Sequence, residues 1–111
     1  MDRMNVADLL GGRKSLTVVQ PTEAHDGLIV SYMPDNVSLQ QYADIRQMEE
    51  IDLVINMLLA FDVQWNLKVD DEPLPVEKGA LLALKGGGTV LKKVLGAIQD
   101  DMSPKETNSA S

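Results

Sequence analysis

From Leu39 to Phe61 the apolar residues recur mostly at steps of three and four: Leu39, Tyr42, Ala43, Met48, Ile51, Val54, Ile55, Leu58 and Leu59. That spacing draws one stripe along an α-helix. Asp44, Arg46, Gln47, Glu49, Glu50 and Asp52 fall on the opposite side. A single helix over 39–61 is therefore predicted. Ser38 opens it, with Gln41 three residues on in the pattern of a capping box. Beyond Leu53 the pattern turns apolar nearly all round. That half is either the most buried part of the domain or a surface that meets a partner.

Two β-branched runs precede this helix. Ser15–Gln20 (SLTVVQ) is closed by Pro21, and Leu28–Met33 (LIVSYM) is stopped by Pro34. Both suit strands. The segment between them ends in Asp26-Gly27, so a hairpin is expected. A lone hairpin is barely stable, so one of its faces must rest on helices. Ahead of the hairpin, Val6, Ala7, Leu9 and Leu10 have the makings of one helical turn, too short to stand alone. Residues 1–14 are expected to form a mobile arm.

Phe61–Pro75 (FDVQWNLKVDDEPLP) joins two helical halves. Alternation puts Phe61, Val63, Trp65 and Leu67 on one side, in a short extended segment or a helix exit. Asp70-Asp71-Glu72 makes an acidic turn, and Pro73 and Pro75 hold the backbone extended around Leu74. A short helix is predicted over Glu77–Leu84, broken by Gly86-Gly87-Gly88. Thr89 is expected to cap a last helix from Val90 to about Met102, with Leu91, Val94, Leu95, Ile98 and Met102 on one face. Ser103-Pro104 stops it, and the polar residues that follow suit a disordered tail.

The chain has 111 residues, enough for one domain, here expected over 15–102 between the arm and a tail at 103–111. A formal charge of −7 argues against binding nucleic acid or an anionic membrane, which takes clustered Lys and Arg. With no cysteine, disulfides, thiolate metal sites and cysteine nucleophiles are excluded. The first residues lack the apolar core of a signal peptide, and the run Leu53–Phe61 is about half of a membrane span.

No pattern of paired base and nucleophile is present, so an enzyme, a cofactor or a metal centre is not expected. His25, beside Glu23 and Asp26, reads as a solvated turn residue rather than a general base. Asp70-Asp71-Glu72 lacks the ligand spacing of a calcium loop. The triple glycine lacks the Gly-Lys-Ser/Thr ending of a phosphate-binding loop. Trp65 is either a core anchor or a binding hot spot.

At 64–75 the sequence QWNLKVDDEPLP resembles the tail assembly chaperones of long-tailed (siphovirus-type) bacteriophages. The matching residues are Trp65, Asn66, Leu67, Asp70, Asp71, Pro73, Leu74 and Pro75. Tyr32-Met33-Pro34 before the long helix, the final helix with Pro104 beyond it, and the Asn108–Ser111 ending are similar too. Glu72 stands where that family tends to have glycine, and 86–88 where it tends to have a proline-bearing turn. The resemblance implies a protein of the host cytoplasm, absent from the mature virion. Its partner would be the phage tape measure protein, kept soluble until tail-tube subunits take the chaperone's place. The tail-tube protein and a frameshifted longer form of the chain are further implied partners. Codons for Ser103-Pro104-Lys105 permit the slippery run that frameshifting needs. Self-association stays open. On this reading Val54, Ile55, Leu58, Leu59, Phe61, Trp65, Leu91, Leu95 and Ile98 supply core and partner-binding surface. The alternative is a minor structural tail or head–tail joining protein retained in the virion. The expected fold is α+β and mainly α: a small N-terminal β-hairpin packed on about three helices.

Overall fold

The computed structural model describes residues 3–103, so the expected disordered tail lies, after Ser103, outside the described residues. The fold is α+β and mainly helical, with a hairpin resting on a helical layer. The order is α1 (Val6–Leu9), β1 (Lys14–Val19), β2 (Leu28–Tyr32), α2 (Leu39–Arg46), α3 (Glu50–Ala60), β3 (Gln64–Trp65), β4 (Lys68–Val69), β5 (Glu72–Pro73), α4 (Lys78–Ala83) and α5 (Gly87–Met102).

Strands β1 and β2 form the expected antiparallel hairpin, with Leu16 opposite Val30 and a register shift between Thr17 and Val19. β2 alternates as a half-buried strand should: Leu28, Val30 and Tyr32 are buried, and Ile29 faces out. The connecting loop turns back at Gly27, whose φ is +77°. A Cβ there would lie 2.4 Å from the Val19 carbonyl oxygen, so only glycine fits. β3 then adds to β2, pairing Val30 with Trp65 and Ser31 with Gln64. The segment after α3 is thus extended. Its alternation holds, with Phe61 and Val63 buried, Trp65 and Leu67 half-buried, and Asp62, Gln64 and Asn66 exposed.

The predicted single helix over 39–61 is two helices. Ser38 caps α2, its Oγ accepting from the Gln41 N–H at 3.0 Å. α2 ends in tight turns, with the Gln47 N–H donating to Asp44 O and the Met48 N–H to Ile45 O. Glu49 is extended (φ −62°, ψ 156°), and α3 starts at Glu50. No glycine or proline marks this break. It lets α2 bury Ile45 while α3 buries Val54, Ile55, Met57, Leu58 and Ala60. Much of the expected stripe is therefore on the outside: Leu39 is 90% exposed and Ile51 64%, with Tyr42 and Met48 exposed as well.

α3 closes with a Schellman motif. The Val63 N–H donates to Leu58 O and the Asp62 N–H to Leu59 O, with Asp62 at φ 51°. Arg13 pairs with the Asp62 carboxylate and donates to its carbonyl oxygen at 2.9 Å. That contact, with the Gly11 N–H donating to Asp35 Oδ2 at 2.8 Å, ties the base of the N-terminal segment to the body. Met4, Val6 and Leu9 beyond it are exposed.

The acidic turn is the tip of a second hairpin. β4 pairs with β5, Val69 opposite Glu72, and Asp70 and Asp71 have φ of 52° and 67°. Two successive positive φ values are what a type I′ turn requires. Trp65 pins this hairpin, its Nε1 donating to Leu74 O at 2.8 Å. Thr89 does not cap the last helix. α5 begins two residues before it at Gly87, because Gly86 takes the left-handed conformation (φ 75°) and its carbonyl oxygen accepts from the Thr89 and Val90 N–H groups. Leu91, Val94, Leu95 and Ile98 of α5 are buried as expected. They complete one core with β2, Ile45, α3, Phe61, Val63 and Leu81.

Tyr32 ties the sheet to α5. Its side chain is fully buried, its ring meets Phe61 edge-on at 6.3 Å, and its hydroxyl donates to the Asp101 carboxylate. Burial, helped by the neighbouring Asp101 charge and hydrogen bond, pushes the Tyr32 hydroxyl up to about 12.

Candidate partner-binding site

Helices α3, α4 and α5 leave an apolar groove of about 340 Å³ between them. Its floor is Val54, Ile55, Leu81 and Leu91. Ile51 of α3 and Leu82 of α4 line it too and are 64% and 54% exposed, so they form its lips. The glycines explain why the groove exists. Gly87 is buried, and a Cβ there would stand 3.4 Å from both Leu81 O and Leu84 Cβ, so α5 can start close beside α4. Gly88 also lines the groove and adds no side chain to fill it. At the rim Lys92 Nζ lies 3.0 Å from Glu50 Oε1, bridging α5 to α3. Both side chains are largely exposed, so this pair contributes at most about 1 kcal/mol.

The nine residues expected to bind a partner divide by depth. Val54, Ile55 and Leu91 meet in the groove, each buried at its floor. Leu58, Phe61 and Ile98 are core, and Leu95 is buried with Val54 beneath a shallower recess beside Gly96 and Gln99. Leu59 and Trp65 are half-buried outside the groove, and Trp65 spends its indole N–H on Leu74. The lip residues Ile51 and Leu82 were not among the nine. Ile51 fits the apolar stripe of an unbroken helix, and only the break after Arg46 turns it outward. Leu82 sits in the apolar run 80–84, which has no polar residue to show which side is outermost.

His25, the acidic turn and the triple glycine each take part in local structure. The His25 Nδ1 accepts from the Gly27 N–H at 2.9 Å and so shapes the β1–β2 loop. Asp70 and Asp71 form the tip of the second hairpin, and Gly86 starts α5. Among the described residues no helix is long and apolar enough to cross a membrane. Comparisons with protein families, with curated proteins and with solved structures find no match to this chain.

Proposed function

We propose that the chain is a tail assembly chaperone of long-tailed bacteriophages. It binds an apolar helix of the tape measure protein in the host cytoplasm, keeps that protein soluble, and gives way as tail-tube subunits assemble. The open groove of α3, α4 and α5, with Ile51 and Leu82 at its lips, is the observation that carries this reading. An amphipathic helix presents apolar side chains at i, i+3 and i+4, and a groove walled by helices is the surface that receives them. A free tape measure helix exposes apolar surface that would aggregate, and an acidic cover keeps the complex dispersed. The groove is small, so binding is modest and the dissociation rate is fast enough for replacement. The likeness of Trp65–Pro75 to the chaperone family supports the same reading.

Co-expression with the tape measure protein of the same genome tests it. The chain should co-purify with that protein and hold it in the soluble fraction. Ile51→Asp and Leu82→Glu should each reduce the amount recovered. A tape measure protein that stays insoluble and unbound, together with this chain in purified virions, would replace the proposal with a retained structural protein.

A further inference from the structure

A second hollow lies further along the same helix pair. It holds about 430 Å³ between α3 and α5, beside Leu53, Val54 and Leu95. It shares Glu50, Val54 and Lys92 with the groove of α3, α4 and α5, so the two hollows meet at these three residues. Val54 is buried at the base of that junction. The exposed Lys92–Glu50 ion pair closes it on the solvent side.

α5 gives the two hollows a common wall. Gly88 and Lys92 line the first, and Lys92, Gly96 and Gln99 line the second. Steps of four, four and three put these residues on one face of the helix, and all four are exposed. The glycines leave that face bare on either side of Lys92. A Cβ added at Gly88 or Gly96 would meet nothing within 4 Å. From Gly88 to Gln99 the helix rises about 16 Å, or three turns.

We propose that the partner's helix occupies both hollows, lying along this face of α5 for three turns and parting the Lys92–Glu50 pair. This rests on the reading of the groove as the tape measure site, and it adds what the bound helix must carry. A helix kept to the groove would meet α5 only from Gly87 to Lys92, little more than one turn. One aligned with α5 passes on over Gly96, where no side chain blocks it. Both members of the ion pair are largely in water, so parting them costs little. Beneath a docked helix they lose that water, and a charge left unpaired there is costly. The helix that fits therefore sets a carboxylate on Lys92 and a Lys or Arg on Glu50, beside an apolar stripe of three turns. A helix without charges, or with charges of one sign, leaves a member of the pair unmatched.

Quantitative capture of the tape measure protein by the full chain and its variants tests this. Gly96→Gln fills the second hollow and leaves the groove untouched. Glutamine is the better helix former, so the thermal midpoint should not fall. Capture should nevertheless weaken about fivefold or more. Lys92→Glu should weaken it about tenfold, because two carboxylates then face the partner. Lys93→Glu makes the same change in net charge at a residue that lines neither hollow, and capture should stay at the wild-type level. Circular dichroism should be unchanged in all three variants. Capture by folded Gly96→Gln at the wild-type level, or equal losses in Lys92→Glu and Lys93→Glu, would overturn the proposal and leave the groove as the site. A wild-type chain that captures no tape measure protein would remove both readings.

Discussion

At the scale of single residues, the polar groups at the boundary of the core fix how its parts meet. Tyr32 spans the sheet–helix junction and its hydroxyl has a charged acceptor in Asp101. Tyr32→Phe keeps the ring against Phe61 and leaves that carboxylate without its donor. It should cost about 1–2 kcal/mol, read by urea unfolding at neutral pH. The same residue sets a high-pH limit. Its ordinary value is 10.0 and the folded state raises it to about 12. The folded protein then holds a proton that the unfolded chain gives up, so the Tyr32 contribution is fully present below pH 10 and is lost as pH rises towards 12. The wild-type chain should lose stability over that window more steeply than Tyr32→Phe. Gly27 makes a second residue-scale case. Gly27→Ala drives a methyl group against the Val19 carbonyl in a left-handed backbone, so it should lower the midpoint of thermal unfolding by several degrees, a cost above about 1 kcal/mol.

At the scale of elements, what could be read from the sequence depended on whether the signal was local. The hairpin strands, α4 and the buried face of α5 carry their own evidence in β-branched runs, prolines and apolar spacing. The break between α2 and α3 does not. Arg46 to Glu50 contain no glycine or proline, and Glu49 makes no side-chain cap bond, so the continuous pattern won. Packing sets the break instead, through the different faces that Ile45 and Met57 bury. The β4–β5 strands were hidden because Pro73 argues against a strand, yet a short edge hairpin tolerates proline. The start of α5 was misplaced because Thr89 looks like a cap, whereas the left-handed Gly86 starts the helix earlier. The missing cap has a measurable consequence. Glu49 already has N-cap backbone geometry but lacks an oxygen placed to accept from the first turn. Glu49→Ser should therefore stabilise the protein by about 0.5–1 kcal/mol with no change in helix content, a gain that an unbroken helix would not show.

For the whole molecule, the question is how a small domain can keep a complete core and still offer apolar surface. The answer lies in depth. Val54, Ile55 and Leu91, legible as apolar positions, form a floor that belongs to the core and to the groove together. The lips could not be read in advance, because exposure depends on how α3, α4 and α5 are set against one another. This division changes which substitutions can test binding. Leu58 is 0% exposed, and Leu58→Asp would bury an unpaired charge at a cost above about 4 kcal/mol, a large part of the stability of a domain this size. Such a variant unfolds, and its failure to bind would carry no information about the surface. Ile51 is 64% exposed and lies in the first turn of α3, where a negative charge is favoured by the helix dipole. Ile51→Asp should shift stability by no more than about 0.5 kcal/mol in either direction. It nevertheless puts a carboxylate at the mouth of an apolar groove, where a docked aliphatic side chain would have to desolvate it. The expected result is an unchanged thermal midpoint with at least about tenfold weaker capture of the tape measure protein. Full capture by a folded Ile51→Asp variant would move the contact surface away from the groove, and the exposed face of α2 around Leu39 and Tyr42 would be the next apolar surface to substitute.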